Sequence, residues 1–340
     1  MRNETGTYNK SKKRWNISTL PNLIFTLLIC VACWYIGYEY WIGFPVRSDS
    51  GTSLLWNAVC GFLTDRNYAY FAGFILLFLA AALLQRFNFR FVIFRGKTML
   101  PFLLFLLLNS VNPDFFPVRP ASVAIFPIMF ALFELFGSYQ NPVATGRMFN
   151  MMFYLCVGGL IWPYLLWFIP IFWIGMYQLR IWNMRTFTAT LLGLFTFFWF
   201  VLGWSIWKHD WAVLNNMMQC LSDIRIVFVN KSGLTEWLKP LGFLLLMVVL
   251  WFHISSQDSE SSIRTRHFLS FLFMLGLYAF ALSLFYAFTF VDFECMSYLS
   301  ASIIASYSFS GKYGIVSFLL YYLIIAVLIV FLFIHLWNIL

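Results

Sequence analysis

Thr98-Met-Leu-Pro-Phe-Leu-Leu-Phe-Leu-Leu-Leu-Asn-Ser-Val-Asn112 opens a series of four apolar runs, 98–112, 121–136, 148–162 and 164–179. At about 15 residues each they make roughly 22–24 Å of helix, against a hydrocarbon core of about 30 Å. The first pair is joined by Asn109-Ser-Val-Asn-Pro-Asp-Phe-Phe-Pro-Val-Arg-Pro120, and the second at Trp162-Pro163 with no polar spacer. Short, proline-interrupted segments are the trace of discontinuous helices lining a site within the membrane, because a broken helix frees backbone groups that only protein or a wet cavity can satisfy. The pattern predicts an all-α polytopic transmembrane bundle. Its working centre should lie among these short helices in 98–179, with their outer turns below the headgroup plane.

Composition agrees. With 62% hydrophobic residues, 10% charged residues and a mean hydropathy of +0.80, the surface would carry too few charges to disperse in water. A transmembrane β-barrel is excluded because runs such as 74–84 and 315–336 do not alternate. About ten spans are expected: 17–41, 68–85, 98–112, 121–136, 148–162, 164–179, 186–207, 240–254, 268–291 and 315–337. Residues 1–16 form a basic cytoplasmic tail, and 17–340 a single transmembrane domain. The first apolar run has no small-residue cleavage site before Glu39, so it reads as a retained helix.

The net charge is +9. With the amino terminus in the cytoplasm, inner segments hold 14 Lys/Arg and three acids, while outer segments hold eight of each. That is the positive-inside pattern, and it places both termini in the cytoplasm. The basicity is therefore topology and lipid-headgroup contact, and no nucleic-acid partner is expected.

The six cysteines do not form a framework. Cys30 and Cys33, three apart in the first helix, read as packing residues, while Cys60, Cys220 and Cys295 all fall on the outer side and leave one disulfide open among them. The four histidines have no ligand spacing, so neither a metal nor a cofactor is expected. Three segments are expected to lie as interfacial helices on the outer side: 54–63, the stretch after Asp210, and the serine-rich 297–309.

Asn67-Tyr-Ala-Tyr-Phe71, Asn150-Met-Met-Phe-Tyr-Leu-Cys-Val-Gly-Gly-Leu160, Arg185-Thr-Phe187 with Leu191-Leu-Gly193, and Tyr298-Leu-Ser-Ala-Ser-Ile-Ile-Ala-Ser-Tyr307 carry a resemblance that runs over most of the chain. They resemble a family of uncharacterised multi-pass inner-membrane proteins best represented in Bacteroidota. The resemblance implies the bacterial inner (cytoplasmic) membrane and a helical architecture, and no activity. More loosely, the layout resembles integral-membrane glycosyltransferases that use polyprenyl-phosphate sugars. Those place an acid on the first outer loop and lay interfacial helices over the bundle; Asp49 and Asp65 are the matching positions.

A transferase acting on a lipid-linked sugar needs a base for a hydroxyl proton and cations for the phosphate, both at headgroup level. Asp49 or Asp65 is the candidate catalytic base, and Arg66, Asp114 and Arg119 are the candidate substrate-binding residues. Read blandly, these are solvated loop charges, Asp65-Arg66 a turn device and Asp114 a cap after Asn112-Pro113. Asp292 and Glu294 form a spaced acid pair that could take a divalent ion. Two other functions use the same features. A small-solute transporter would arrange Asn109, Asn112 and free helix ends around its substrate, with Glu134 the ionisable residue inside a span. A non-catalytic scaffold subunit of an envelope complex would depend on close helix approach at Gly158, Gly159 and Gly193. The partners expected are membrane lipids, a polyprenyl-phosphate-linked sugar and other envelope proteins.

Overall fold

A computed structural model of the chain describes residues 20–40, 54–63, 65–93, 98–111, 115, 118–209, 211–224, 234–257, 262–286, 289–310, 319 and 321–330. Among these residues the structure is helical throughout, with no strand. The helices are α1 (Leu20–Tyr40), α2 (Leu54–Phe62), α3 (Arg66–Phe91), α4 (Leu100–Ser110), α5 (Pro120–Gly137) and α6 (Thr145–Ile161), followed by a 3-10 turn at Pro163–Phe168. After it come α7 (Ile169–Gln178), α8 (Met184–Lys208), α9 (Ala212–Ser222), α10 (Leu234–Gln257), α11 (Ile263–Phe285), α12 (Phe290–Ser310) and α13 (Tyr321–Val330). The basic tail 1–16 lies outside the described residues, as does most of the expected span 315–337.

Four described helices are long and apolar enough to cross a bilayer: Asn67–Phe91, Pro120–Gly137, Met184–Lys208 and Ile263–Phe285. The expected ten spans are therefore not ten full-length helices. The short segment at the centre of the expectation shows why. α4 has 11 residues, about 16 Å, and its side chains are buried from Leu103 to Ser110 between α1, α3 and α12. A helix enclosed by protein need not reach either face of the membrane, since its neighbours rather than lipid cover its ends. Pro101 sits in its first turn, where a missing N–H costs nothing.

Glycines set the spacing of the next layer. Pro127 breaks the hydrogen-bond ladder within α5, and α6 meets it with Gly158, where an added Cβ would lie 2.8 Å from the Pro127 Cβ. Gly193 of α8 lies so near α6 that a Cβ there would stand 2.8 Å from the Phe149 carbonyl oxygen. Gly159 packs beneath Leu166. The three glycines singled out in the sequence are thus points of close helix approach.

The largest departure is α12. The segment 297–309, expected as an interfacial helix, belongs to a buried helix that packs on α11, α4, α10 and α5. Its composition is polar, but four of its serines are satisfied locally, while the buried Ser308 hydroxyl has no partner. The hydroxyls of Ser297, Ser300, Ser302 and Ser306 donate to carbonyls three or four residues back, at 2.5–2.8 Å. A serine bonded to its own helix is small and nearly apolar outward, so it permits close packing in a core. Gly276 of α11 faces Ser300 across this contact.

The other two expected interfacial segments do form short helices. α2 packs on α6 with Trp56 fully buried, and α9 rests on α8 and the 3-10 turn with Met217 and Cys220 inward and Met218 exposed. Asp210, the expected cap of α9, lies outside the described residues. All six cysteines are free, so Cys60, Cys220 and Cys295 do not pair.

Candidate functional site

α12 begins with two acids in an apolar bundle: Asp292 is 3% exposed and Glu294 1%. Arg119, at the N-terminal boundary of α5 with an extended backbone, reaches Asp292 with Nε 3.0 Å from Oδ1. Its own N–H donates to Ser122 Oγ at 3.4 Å. A cation at a helix N-terminus opposes the helix dipole, whereas an acid in the first turn is favoured by it. Asp292 therefore offsets the position of Arg119, and the half-buried guanidinium neutralises a carboxylate that water cannot screen.

The remaining polar groups close around this pair. Glu294 accepts from the Tyr298 hydroxyl at 3.0 Å, and the Cys295 thiol donates to Asn109 Oδ1 at 3.2 Å. Asn109 Nδ2 in turn bonds the Phe105 carbonyl at 2.8 Å. Phe115 packs edge-on against Tyr298. A cavity of about 20 Å³ lies between Trp34, Gly73, Asn109, Phe115, Arg119 and Cys295, room for about one water molecule.

The depth of the site follows from helix geometry. Trp34 Nε1 bonds Ser110 Oγ at 3.0 Å, so the end of α4 is level with Trp34, six residues before the end of α1. Gly73, on the cavity wall, lies seven residues into α3. At 1.5 Å per residue the end of α4 and the cavity beside it are recessed by about 9–10 Å from the ends of α1 and α3. That end of the bundle is marked by Tyr38, whose hydroxyl bonds Asn67 Oδ1 at 2.7 Å.

Of the residues singled out in the sequence, Asp49 and Asp114 lie outside the described residues. Asp65 is exposed just before α3, where its carbonyl accepts from the Ala69 N–H at 3.0 Å and its side chain makes no cap bond. Arg66 opens α3. Among the described side chains of this set, half-buried Arg119 is the one brought against a buried acid, Asp292. Asp292 and Glu294, expected as outer-loop acids able to share an ion, are instead buried. Two residues apart on a helix, they point about 200° from each other, one to Arg119 and the other to Tyr298. Among the described residues no three His, Cys, Asp or Glu side chains gather as a metal site. Glu134 is half-buried in the last turn of α5.

The sequence reading missed Cys295 and Tyr298. One signal was available: from Phe290 to Ser310 no Pro or Gly interrupts the chain, so the acids and the serine-rich stretch belong to one helix. Compared with protein-family models, curated proteins and solved structures, the chain finds no match.

Proposed function

We propose that this chain is a multi-pass inner-membrane protein that handles a lipid-linked sugar or envelope glycan at the outer face, with Arg119 holding the phosphate. The observation that supports this is a half-buried guanidinium, that of Arg119, held 3.0 Å from the buried carboxylate of Asp292, on the side of the bundle where α3 begins. α3, at 26 residues, is about 39 Å long. Centred on a hydrocarbon core of about 30 Å, α3 overhangs by about 4–5 Å at each end, so a site about 10 Å below its end lies about 5 Å inside the core, where a phosphate needs a cation to hold it. Guanidinium is the side chain suited to phosphate there, being planar, permanently charged and weakly hydrated. Asp65 and Arg66, at the mouth of the same end, would meet the approaching headgroup. In the transferase form, an acceptor hydroxyl passes its proton to a carboxylate, Glu294 or Asp65. Its oxygen then bonds the anomeric carbon, and the bond from that carbon to the phosphate oxygen breaks, leaving polyprenyl phosphate on Arg119.

A second reading, small-solute transport coupled to an ion or proton, gains from the burial of Asp292 and Glu294, since such transport needs ionisable groups inside the bundle. One experiment separates the two. In lipid nanodiscs, a polyprenyl phosphate at 100 times its Kd should stabilise the full chain by about 2.7 kcal/mol, while the neutral polyprenol should not. Equal melting curves with both lipids would remove the lipid-phosphate reading and leave transport.

The same reading places both termini in the cytoplasm and the Asn67 end outside. On a chain lacking native cysteines, single cysteines replacing Ser50 and Ser232 should label from outside, and one replacing Ser259 should be protected. Any other pattern refutes the orientation.

A further inference from the structure

Next to the ionic cluster lies a set of rings with unmet hydrogen-bonding capacity. Trp162 is 1% exposed, and its indole N–H, wholly buried, has no hydrogen-bond partner. The Thr289 hydroxyl oxygen is likewise buried and unpaired. The Trp167 indole N–H is also buried without a hydrogen-bond partner. Such groups are rare in native interiors, because a buried donor without an acceptor loses its hydration for nothing in return.

The two tryptophans share one aromatic nest. The Trp162 ring lies 4.8 Å from Phe293 and 6.0 Å from Tyr164; Tyr286 lies 5.0 Å from Tyr164, 5.9 Å from Phe293 and 6.5 Å from Trp167. Phe293 sits between Asp292 and Glu294 in the sequence, so the nest and the Arg119 pair flank the same first turn of α12. The amphipathic helix α9 covers the nest, held where the Tyr286 hydroxyl donates to the Leu221 carbonyl at 2.9 Å.

We propose that the nest formed by Trp162, Tyr164, Trp167, Tyr286 and Phe293 is a pyranose-binding subsite, in which the Trp162 indole N–H donates to a sugar hydroxyl. The inference rests on the lipid-linked-sugar reading and assigns the sugar its place beside the phosphate. The chemistry selects the class of ligand. An acyl chain would fill an aromatic nest but leave the N–H unpaired, and a cation would stack on the rings but could not accept from it. A pyranose does both, with C–H faces for the rings and hydroxyl oxygens as acceptors. The rings touch one another with α9 in place, so a sugar in this subsite requires α9 to move aside.

The test uses neutral probes, so that it does not depend on the phosphate. The full chain in nanodiscs is irradiated with a panel of photoreactive alkyl pyranosides and with the matching alkyl alcohol, and the labelled peptides are mapped. The pyranosides should label within 162–168 or 286–293, and the alcohol should label lipid-facing surface instead. Trp162→Phe should cut that pyranoside labelling roughly fivefold, the worth of one hydrogen bond. A merely structural tryptophan predicts no such loss. If Trp162→Phe lowers the melting temperature, benzothienylalanine at 162 retains the bicyclic ring without the N–H and should give the same loss. Labelling equal to that of the alcohol, or unchanged by loss of the N–H as it would be if the donor only binds a water, overturns the subsite. Stabilisation by polyprenyl phosphate alongside such a failure would leave the phosphate reading standing. Pyranoside labelling without phosphate stabilisation would do the reverse.

Discussion

Arg119→Ala is expected to destabilise the protein by about 3–5 kcal/mol, because it leaves Asp292 as an uncompensated charge inside the bundle. A solvated loop cation, the bland reading of Arg119 in the sequence, would tolerate this change; the 3.0 Å pair reverses that expectation. Asp292→Ala should be damaging for the mirror reason. The double variant Arg119→Met/Asp292→Leu should recover most of the loss, because replacing a buried pair by apolar groups of similar volume is often neutral or better. Melting of the purified wild type, Arg119→Met, Asp292→Leu and the double variant in nanodiscs gives the four corners of the cycle, and strictly additive losses would mean that the two side chains do not interact. A function test at Arg119 must therefore be made in a background where Asp292 is also changed. Otherwise lost folding would be read as lost binding.

Gly193→Ala should be the most damaging single-methyl change on α8. Its new Cβ would stand 2.8 Å from the carbonyl oxygen of Phe149, which is backbone and cannot rotate aside, so α6 and α8 must separate. Forced overpacking of this kind costs about 1–3 kcal/mol. Gly203→Ala, ten residues along the same helix, provides the control: no atom lies within 4 Å of its added Cβ, and alanine's higher helix propensity should make the change neutral or slightly favourable. Equal melting temperatures for the two variants would show that the α6–α8 interface is not set by glycine.

Class and environment were legible in the sequence because they depend on composition and length, which add up residue by residue. Sixty-two per cent hydrophobic residues demand lipid, 98–112 stood out as short although it was counted among the ten spans, and Gly158 and Gly193 marked close approach wherever their partners proved to be. The site was legible only in fragments. Arg119 stood out as a cation beside a proline-rich turn, and its neighbour Asn109 as a polar residue at the end of a short helix. Nothing local shows that the acid answering Arg119 lies 173 residues away. Asp292 and Glu294 looked solvated because buried charge is costly and loop charge is cheap. Likewise 297–309 looked interfacial because serine counts as polar in any composition, although a hydroxyl bonded to its own helix packs as a small apolar group. Whether a polar residue faces water or a partner depends on which helices stand around it, and only the packing of α12 among α4, α5, α10 and α11 decided that.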